Sequence, residues 1–258
     1  MATGLELWQQ LAVLIIFCWS GFIRTGLGFG GALLTMPFLL LIDNRPLVYL
    51  PIIAVHLLIF ATLNFTQDCL RARSLNPLSD NIDWAYLKRS VPIMLLPKIV
   101  GVAGLITLPA YILSSIIFAM VTIYAIHYLL GREFRARAAW VETLFLITGA
   151  YISGTSLIGG PLLIAVFANH VAKEKLRATL FVLWCILVSI KMVAFIIADV
   201  DLQWRLQLWL LPAATVGHIF GTFLHRYLIQ RDTKVFFRYL GAVLLLASSV
   251  GLIKELVT

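Results

Sequence analysis

The stretch RTGLGFGGALLTMP, residues 24–37, places four glycines within six positions inside a long apolar segment. A second stretch, GTSLIGGPLLIAVF at residues 154–167, also has a Gly-Gly pair followed by apolar residues. Glycine permits backbone conformations that interrupt a helix. Interrupted backbone inside a membrane is tolerated only where it is buried in protein or lines a water-filled cavity. In a membrane-spanning chain, each stretch therefore predicts the tip of a hairpin of short helices that ends within the bilayer.

The composition indicates that the chain does span a membrane. Its 258 residues are 61% apolar and 12% charged, whereas a soluble domain is about half apolar and a quarter charged. Apolar stretches of membrane-spanning length recur from end to end, which excludes a soluble domain with a single anchor. Most basic residues lie in short loops, so the net charge of +8 indicates orientation in the lipid bilayer, and no nucleic-acid partner is expected. The three cysteines have no ligand spacing, and no metal, cofactor or disulfide is implied.

The apolar pattern predicts ten segments. Four of them flank the two glycine stretches and are shorter than the roughly 20 residues that a straight crossing needs. We interpret each short pair as a re-entrant hairpin, the first entering from outside and the second from the cytoplasm. The ten predicted segments are 7–23, 28–42, 46–65, 89–108, 111–130, 138–153, 157–169, 176–198, 206–226 and 235–254.

The basic residues predict the topology. When the ten segments alternate in direction, fourteen of the twenty Lys and Arg residues fall on one side of the membrane and three on the other. Cytoplasmic loops carry the excess of Lys and Arg, so the richer side is predicted to be cytoplasmic and both termini extracytoplasmic. The remaining three basic residues, Arg24, Lys98 and Lys191, fall inside apolar segments.

The two halves of the chain resemble each other. The second Gly-Gly pair follows the first by 129 residues, and each pair precedes an apolar arm, a short polar turn and a long segment. Each half, 1–130 and 131–258, holds five segments. Because five is an odd number of passes, the halves must run in opposite directions. The predicted fold is an all-α polytopic membrane protein with an inverted-topology repeat, an arrangement typical of secondary transporters that bind substrate near the midplane at broken helices.

The glycine turns are candidate anion-binding elements. A helix that begins after such a turn has N–H groups without partners in the helix, and these donors together with the helix dipole favour an anion. Glycine allows the backbone to approach a ligand closely, and we expect a positive φ at some position in the turns. The glycines assigned to this role are Gly28, Gly30, Gly31, Gly159 and Gly160.

Several stretches are similar to those of one family of membrane permeases. The chain resembles the sulfite exporter TauE/SafE family over nearly its whole length. This resemblance implies transport of small sulfur-containing anions, such as sulfite or organosulfonates, and a location in a bacterial plasma membrane, that is, the cell inner membrane. The stretches that carry the resemblance are GFIRTGLGFGGALLTMP, LVYLPIIAVHLLIFATLNF, NIDWAYLKRSVP, GTSLIGGPLLIAVF and LRATLFVLWCILVSIKMVAF.

The basic residues inside apolar segments are candidate substrate ligands. Intramembrane charges are costly and commonly mark substrate paths. Arg24 adjoins the first glycine turn, and Lys98 lies at the centre of a segment that has no acidic residue. Lys98 also has two other interpretations, in which it pairs with a carboxylate elsewhere in the chain or is kept neutral by burial. Lys191 lies nearer the outer end of its segment, so we favour an interpretation in which its side chain extends to the interface over one in which it contributes to the anion site.

Histidines and hydroxyl residues complete the candidate site. His56 and His218 lie near the middle of their segments, where histidine serves either as an interhelical hydrogen-bonding residue or as a proton carrier. Hydroxyl groups near the turns either donate to an oxyanion or bond to carbonyls of their own helix. The hydroxyl residues are Thr25, Ser153, Thr155 and Ser156.

Together these features predict a secondary carrier for a small oxyanion that works by alternating access, in which one repeat-derived bundle moves against the other. The alternative is an anion channel in which the same donors line a continuous pore. A membrane enzyme is not expected, because no HExxH, GxSxG or acidic pair occupies a plausible site. The sequence leaves open both proton coupling and assembly into a homo-oligomer.

Overall fold

The computed structural model of the chain describes residues 4–27, 31–72, 81–131, 134, 138–228 and 234–257, which form ten helices joined by turns and short connections. Seven of the described helices, α1, α3, α4, α5, α8, α9 and α10, contain stretches long and apolar enough to cross a membrane. This confirms the predicted all-α polytopic membrane protein. In chain order, the helices are α1 Leu7–Leu27, α2 Met36–Ile42, α3 Pro46–Ala72, α4 Trp84–Thr107, α5 Ala110–Leu129, α6 Ala139–Ser156, α7 Gly160–His170, α8 Lys173–Ile197, α9 Trp204–Leu228 and α10 Lys234–Val257.

The first glycine stretch differs from its prediction in two ways. Helix α1 has 21 residues and does not end at residue 23 as predicted, because Arg24 donates a hydrogen bond to the Ser20 hydroxyl one turn earlier and stays helical. The predicted arm 28–42 is wrong over residues 31–35, which form turns, so that among the described residues of this arm only the seven of Met36–Ile42 are helical. The Thr35 hydroxyl bonds to the Gly31 carbonyl, a local contact that competes with helix formation.

The second glycine stretch forms a compact turn between α6 and α7. Leu157 follows α6 with φ 62° and donates its N–H to the Ser153 carbonyl. Gly159 then caps α7 with φ −68°, and a proline stands in the first turn of that helix, where its fixed φ suits a helix start. The expected positive φ therefore occurs in this turn, but on a leucine.

The helices divide into two compact units, which are Met1–Ile52, Leu108–Glu133 and Asp201–Thr258 for unit 1, and Ile53–Thr107 and Phe134–Val200 for unit 2. Each unit takes helices from both halves of the sequence. The division of the sequence into repeats at residues 1–130 and 131–258 stays a prediction.

Unit 1 is built on two helix pairs. Helix α1 packs along α9, α5 packs along α10, and the short α2 contacts α1, α5 and α10. Two glycines bring α1 and α9 together: a Cβ at Gly21 would overlap the Ala214 carbonyl oxygen, and a Cβ at Gly217 would overlap that of Cys18. Small residues at such crossings let helix backbones approach closely inside membranes.

Unit 2 is built on the crossing of α4 with α6. Helix α7 folds back on α6, and α8 contacts α4, α6 and α7. Two glycines again bring the helices together: a Cβ at Gly154 would lie 2.5 Å from the Lys98 carbonyl oxygen, and a Cβ at Gly101 would overlap that of Tyr151. On each of these four helices, the glycine lies three residues from the residue whose carbonyl faces the glycine of the partner helix. We call these four residues, Gly21, Gly217, Gly154 and Gly101, the crossing glycines.

Candidate functional site

Unit 1 carries a buried guanidinium beside the first glycine stretch. Arg24 lies in the last turn of α1 and is 6% exposed. Its Nη2 atom donates to Ser20 Oγ over 3.1 Å, and a Cβ on Gly31 would lie 2.9 Å from its Nε atom. The Arg24 side chain is therefore packed against the backbone of Gly31, which follows α1.

The same unit pairs a hydroxyl with a histidine. Thr25 Oγ1 and His218 Nδ1 are 2.6 Å apart, and both side chains are buried. Helix α9 brings His218 to this position because it crosses α1 at the crossing glycines, Gly21 and Gly217. Histidine and threonine can exchange donor and acceptor roles here according to the tautomer of the ring.

Unit 2 carries two buried ammonium groups at the end of α6. Lys98 Nζ donates to both the carbonyl oxygen and the hydroxyl of Ser153, over 2.8 and 2.9 Å. Lys191 Nζ donates to the Thr155 carbonyl over 3.4 Å. Both lysines are fully buried. Lys98 is a second donor to the Ser153 carbonyl, which also accepts from the Leu157 N–H. Cations at the C-terminal end of a helix interact favourably with the helix dipole, so the lysines stabilise the end of α6.

Charge in this part of unit 2 is not balanced by protein groups. Lys98 and Lys191 are close enough to interact electrostatically. Among the residues that the structure describes, neither lysine forms an ion pair with a carboxylate. Hydrogen bonds to neutral carbonyls compensate a buried charge only in part, because burying a charge is costly unless it is paired. The arrangement is therefore suited to receive an anion.

Lys191 was not recognised as a site residue from the sequence. The expectation that it extends to the interface is wrong, because the side chain is fully buried and held at Thr155. The helical spacing of Lys191 indicates burial, because it lies on one face of α8 with three other residues that are all buried, namely Trp184, Leu187 and Val188. That signal was weak in the sequence because α8 is apolar around most of its circumference.

The hydroxyls at the end of α6 are engaged within their own helix. Thr155 Oγ1 and Ser156 Oγ donate to the Ile152 carbonyl over 3.0 and 2.9 Å. This matches the second of the two interpretations that the sequence allowed. The hydroxyl oxygen of Ser153, in contrast, accepts a hydrogen bond from Lys98, whereas Thr155 contacts Lys191 through its carbonyl oxygen.

The two glycines before α7 have different surroundings. A Cβ at Gly159 would overlap the Gly149 carbonyl oxygen, whereas a Cβ at Gly160 would lie 3.7 Å from the ring of Trp184, an ordinary contact distance. Gly159 is thus required by close backbone approach, and Gly160 is not.

The remaining predicted residues are placed as follows. His56, in α3, is fully buried in unit 2 and packs edge-on against Phe60, with ring centroids 6.3 Å apart. Gly28 and Gly30 lie outside the described residues. The structure thus assigns Arg24, Thr25, Gly31 and His218 to unit 1, and His56, Lys98, Thr155, Ser156, Gly159 and Gly160 to unit 2.

Comparison with known proteins identifies the family. The family model described as sulfite exporter TauE/SafE matches residues 13–252, which include both glycine stretches and every buried cation discussed above. No curated protein and no solved structure matches the chain. Membership of this family implies a membrane transporter of sulfite or related sulfur anions, which agrees with the buried cations and the spanning helices. The chain belongs to the sulfite exporter TauE/SafE family of membrane transporters.

Proposed function

We propose that the chain is a secondary transporter of a small sulfur oxyanion, sulfite or an organosulfonate, that works by alternating access. The observation that carries this proposal is the pair of fully buried lysines, Lys98 and Lys191, at the end of α6, which have no carboxylate partner in the described part of the chain. A doubly charged or singly charged oxyanion would offset these ammonium groups. The bilayer excludes water from most of the surroundings, which makes each such contact stronger than it would be in water.

Each glycine stretch contributes a different set of anion ligands in this proposal. In unit 2 the anion accepts hydrogen bonds from Lys98 and Lys191 near the start of α7, whose dipole also favours negative charge. Unit 1 offers the guanidinium of Arg24, whose planar fork can donate two parallel hydrogen bonds to an oxyanion, and the hydroxyl of Thr25, the next residue in the chain.

Proton coupling is a further part of the proposal. Histidine changes its charge near neutral pH, and His218 contacts Thr25, the neighbour of Arg24 in the chain. Protonation of His218 in one transport step and its release in another would couple anion movement to a proton gradient. Dissipation of a pH gradient across liposomes that contain the protein, on addition of sulfite, would test this coupling. Assembly into a homo-oligomer stays a prediction.

The proposed orientation has both termini outside the cytoplasm of a bacterial plasma membrane. It rests on the fourteen-to-three distribution of Lys and Arg between the two sides. On a cysteine-free background, Ala136→Cys should resist a membrane-impermeant thiol reagent added to intact cells, and Asp201→Cys should react with it. Ready labelling of position 136 from outside would contradict the orientation.

Transport in proteoliposomes tests the function itself. We expect saturable uptake of radiolabelled sulfite that accelerates when unlabelled sulfite is loaded inside, because a carrier returns faster with substrate bound. Taurine and methanesulfonate, as organosulfonates, should compete with sulfite if the site recognises the shared sulfur oxyanion group. Uptake that never saturates and shows no acceleration would indicate a channel. No uptake of any sulfur anion by folded protein would refute the proposal.

A further inference from the structure

Helix α8 carries a buried hydrogen-bond donor that has no role in the fold. Trp184 is 9% exposed, and its Nε1 atom is buried with no hydrogen-bond partner among the residues that the structure describes. The indole N–H is a donor only, and a buried tryptophan normally finds a partner for it. A buried donor without a partner is unfavourable, so this N–H is suited to an acceptor supplied by a ligand.

The position of the ring identifies where that ligand would lie. Atoms Cη2 and Cζ2 of Trp184 are 3.7 and 3.9 Å from the place that a Cβ on Gly160 would occupy. Nε1 belongs to the same side of the indole, one atom removed from Cζ2. Gly160 is the first residue of the 11-residue α7. The benzene edge of the Trp184 indole, which is fused to the ring that carries the N–H, therefore contacts the N-terminus of α7, whose dipole favours an anion.

Helix α8 also joins this place to the buried lysines. Trp184 and Lys191 are seven residues apart, which is about two helical turns or roughly 10 Å of rise, and they share the buried face of α8. Lys191 donates to the end of α6, while Trp184 lies at the start of α7. The two side chains thus bracket the turn that connects the arms of the second hairpin.

We infer that Trp184 is a substrate-binding residue whose indole N–H donates a hydrogen bond to the oxyanion at the start of α7. This inference rests on the proposed function and adds a neutral donor to the lysines of the same unit. A neutral donor contributes binding without adding a third positive charge to a region that already holds two. The acceptor is an oxygen of the sulfite or sulfonate group.

Replacement of the ring by one without a donor tests the inference. Trp184→Phe keeps an aromatic side chain and removes the N–H. Trp209→Phe is the matched control, because Trp209 lies on α9 and is 61% exposed. The measurement is the sulfite concentration dependence of the melting temperature of purified full-length protein, together with the KM for sulfite uptake in proteoliposomes. We expect Trp184→Phe to weaken sulfite binding about ten- to a hundredfold and the control to leave it unchanged.

A second variant separates the lost hydrogen bond from a lost shape. Incorporation of benzothienylalanine at position 184 replaces the N–H by sulfur in a ring of nearly the same shape, and it should weaken binding as Trp184→Phe does. If wild-type protein binds no sulfur oxyanion, the proposed function fails and this inference fails with it. If wild-type protein binds sulfite and both ring variants bind it as tightly as the control, Trp184 is not a ligand and the proposed function stands.

Discussion

The α1–α9 and α4–α6 crossings each have a serine at the matching position, and the two serines contact cations from different helices. Ser20 on α1 and Ser153 on α6 each stand directly before a crossing glycine, and each hydroxyl accepts a hydrogen bond from a buried cation. In unit 1 the cation is Arg24, four residues further along the same helix. In unit 2 the cation is Lys98, which comes from the crossing helix α4. Both units thus use a serine hydroxyl as the acceptor, but they take the cation from different helices.

The helices that cross α1 and α6 differ at the position that would carry the cation. Lys98 stands three residues before the crossing glycine Gly101, and the residue three before Gly217 on α9 is Ala214. A cation in the crossing helix links two helices, so any movement that separates α4 from α6 must break the two hydrogen bonds of Lys98. Arg24 travels with its own helix and keeps its serine. The two units therefore hold a buried cation at matching serines. Only in unit 2 would separation of the two crossing helices break the described hydrogen bonds of that cation.

Removal of the linking cation should have the largest effect. Lys98→Met keeps much of the side-chain length and removes the charge and both hydrogen bonds to Ser153. We expect sulfite affinity to fall roughly a hundredfold, since a hydrogen bond to a charged group contributes about 1.5–3 kcal/mol. The dependence of melting temperature on sulfite concentration measures this change. Lys254→Met, at an exposed position, is the control, and equal affinity in the two variants would show that Lys98 only stabilises the end of α6.

The two glycines before α7 should differ sharply in their tolerance of alanine. Gly159→Ala places a methyl group onto the Gly149 carbonyl, and overpacking of this kind costs about 1–3 kcal/mol. Gly160→Ala meets only the ring of Trp184 at contact distance, so its effect on stability should be small. Melting temperatures of the two variants in detergent, without ligand, measure the difference. Equal destabilisation would mean that the turn depends on backbone flexibility and not on close approach.

A change of cation type in unit 1 should have a smaller effect than charge removal in unit 2. Arg24→Lys keeps the charge and loses the planar fork that can bind an oxyanion with two hydrogen bonds. We expect sulfite affinity to fall about tenfold, which corresponds to about 1.4 kcal/mol. Arg45→Lys is the matched control, because Arg45 is partly exposed and pairs with Asp43. If Arg24→Lys binds sulfite like wild type, unit 1 provides charge without a specific geometry.

The pair of Thr25 and His218 should give the smallest effect. Thr25→Val, His218→Gln and the double variant form a cycle that isolates the energy of their hydrogen bond. We expect a coupling of about 0.5–1.5 kcal/mol in the free energy of unfolding. Reversible denaturation in mixed detergent micelles provides the measurement. A coupling of zero would contradict the 2.6 Å contact as a stabilising interaction.

Helix positions in this protein were largely predictable. Each of the ten predicted apolar segments overlaps one helix, because length and apolarity are local properties of the chain and membrane spans require about 20 apolar residues. The prediction was wrong over residues 31–35, which form turns where the Thr35 hydroxyl bonds to the Gly31 carbonyl, a local contact that competes with helix formation. Boundaries beside Arg24 were also misjudged, since a hydrogen bond to Ser20 keeps that charged residue helical.

The individual site residues were predictable by type, and their partners were not. Arg24 and Lys98 stand out in any reading of the sequence, because charges inside apolar segments are rare. Nothing in the sequence indicates that Lys98 contacts Ser153, 55 residues later, or that Thr25 contacts His218, 193 residues later. Lys191 was misjudged for the same reason: whether a lysine is buried depends on which helices cover it.

The sequence by itself determined the class of the protein, the number of helices, the two glycine interruptions and the presence of cations within apolar segments. Composition, segment length and backbone preference are sufficient for these features because each is a property of neighbouring residues. The helices that form each compact unit, the serine that each cation contacts and the glycine that is sterically required became known from the tertiary structure. These features arise from helix crossings between distant parts of the chain, where backbones approach closely enough for a single Cβ atom to decide the packing.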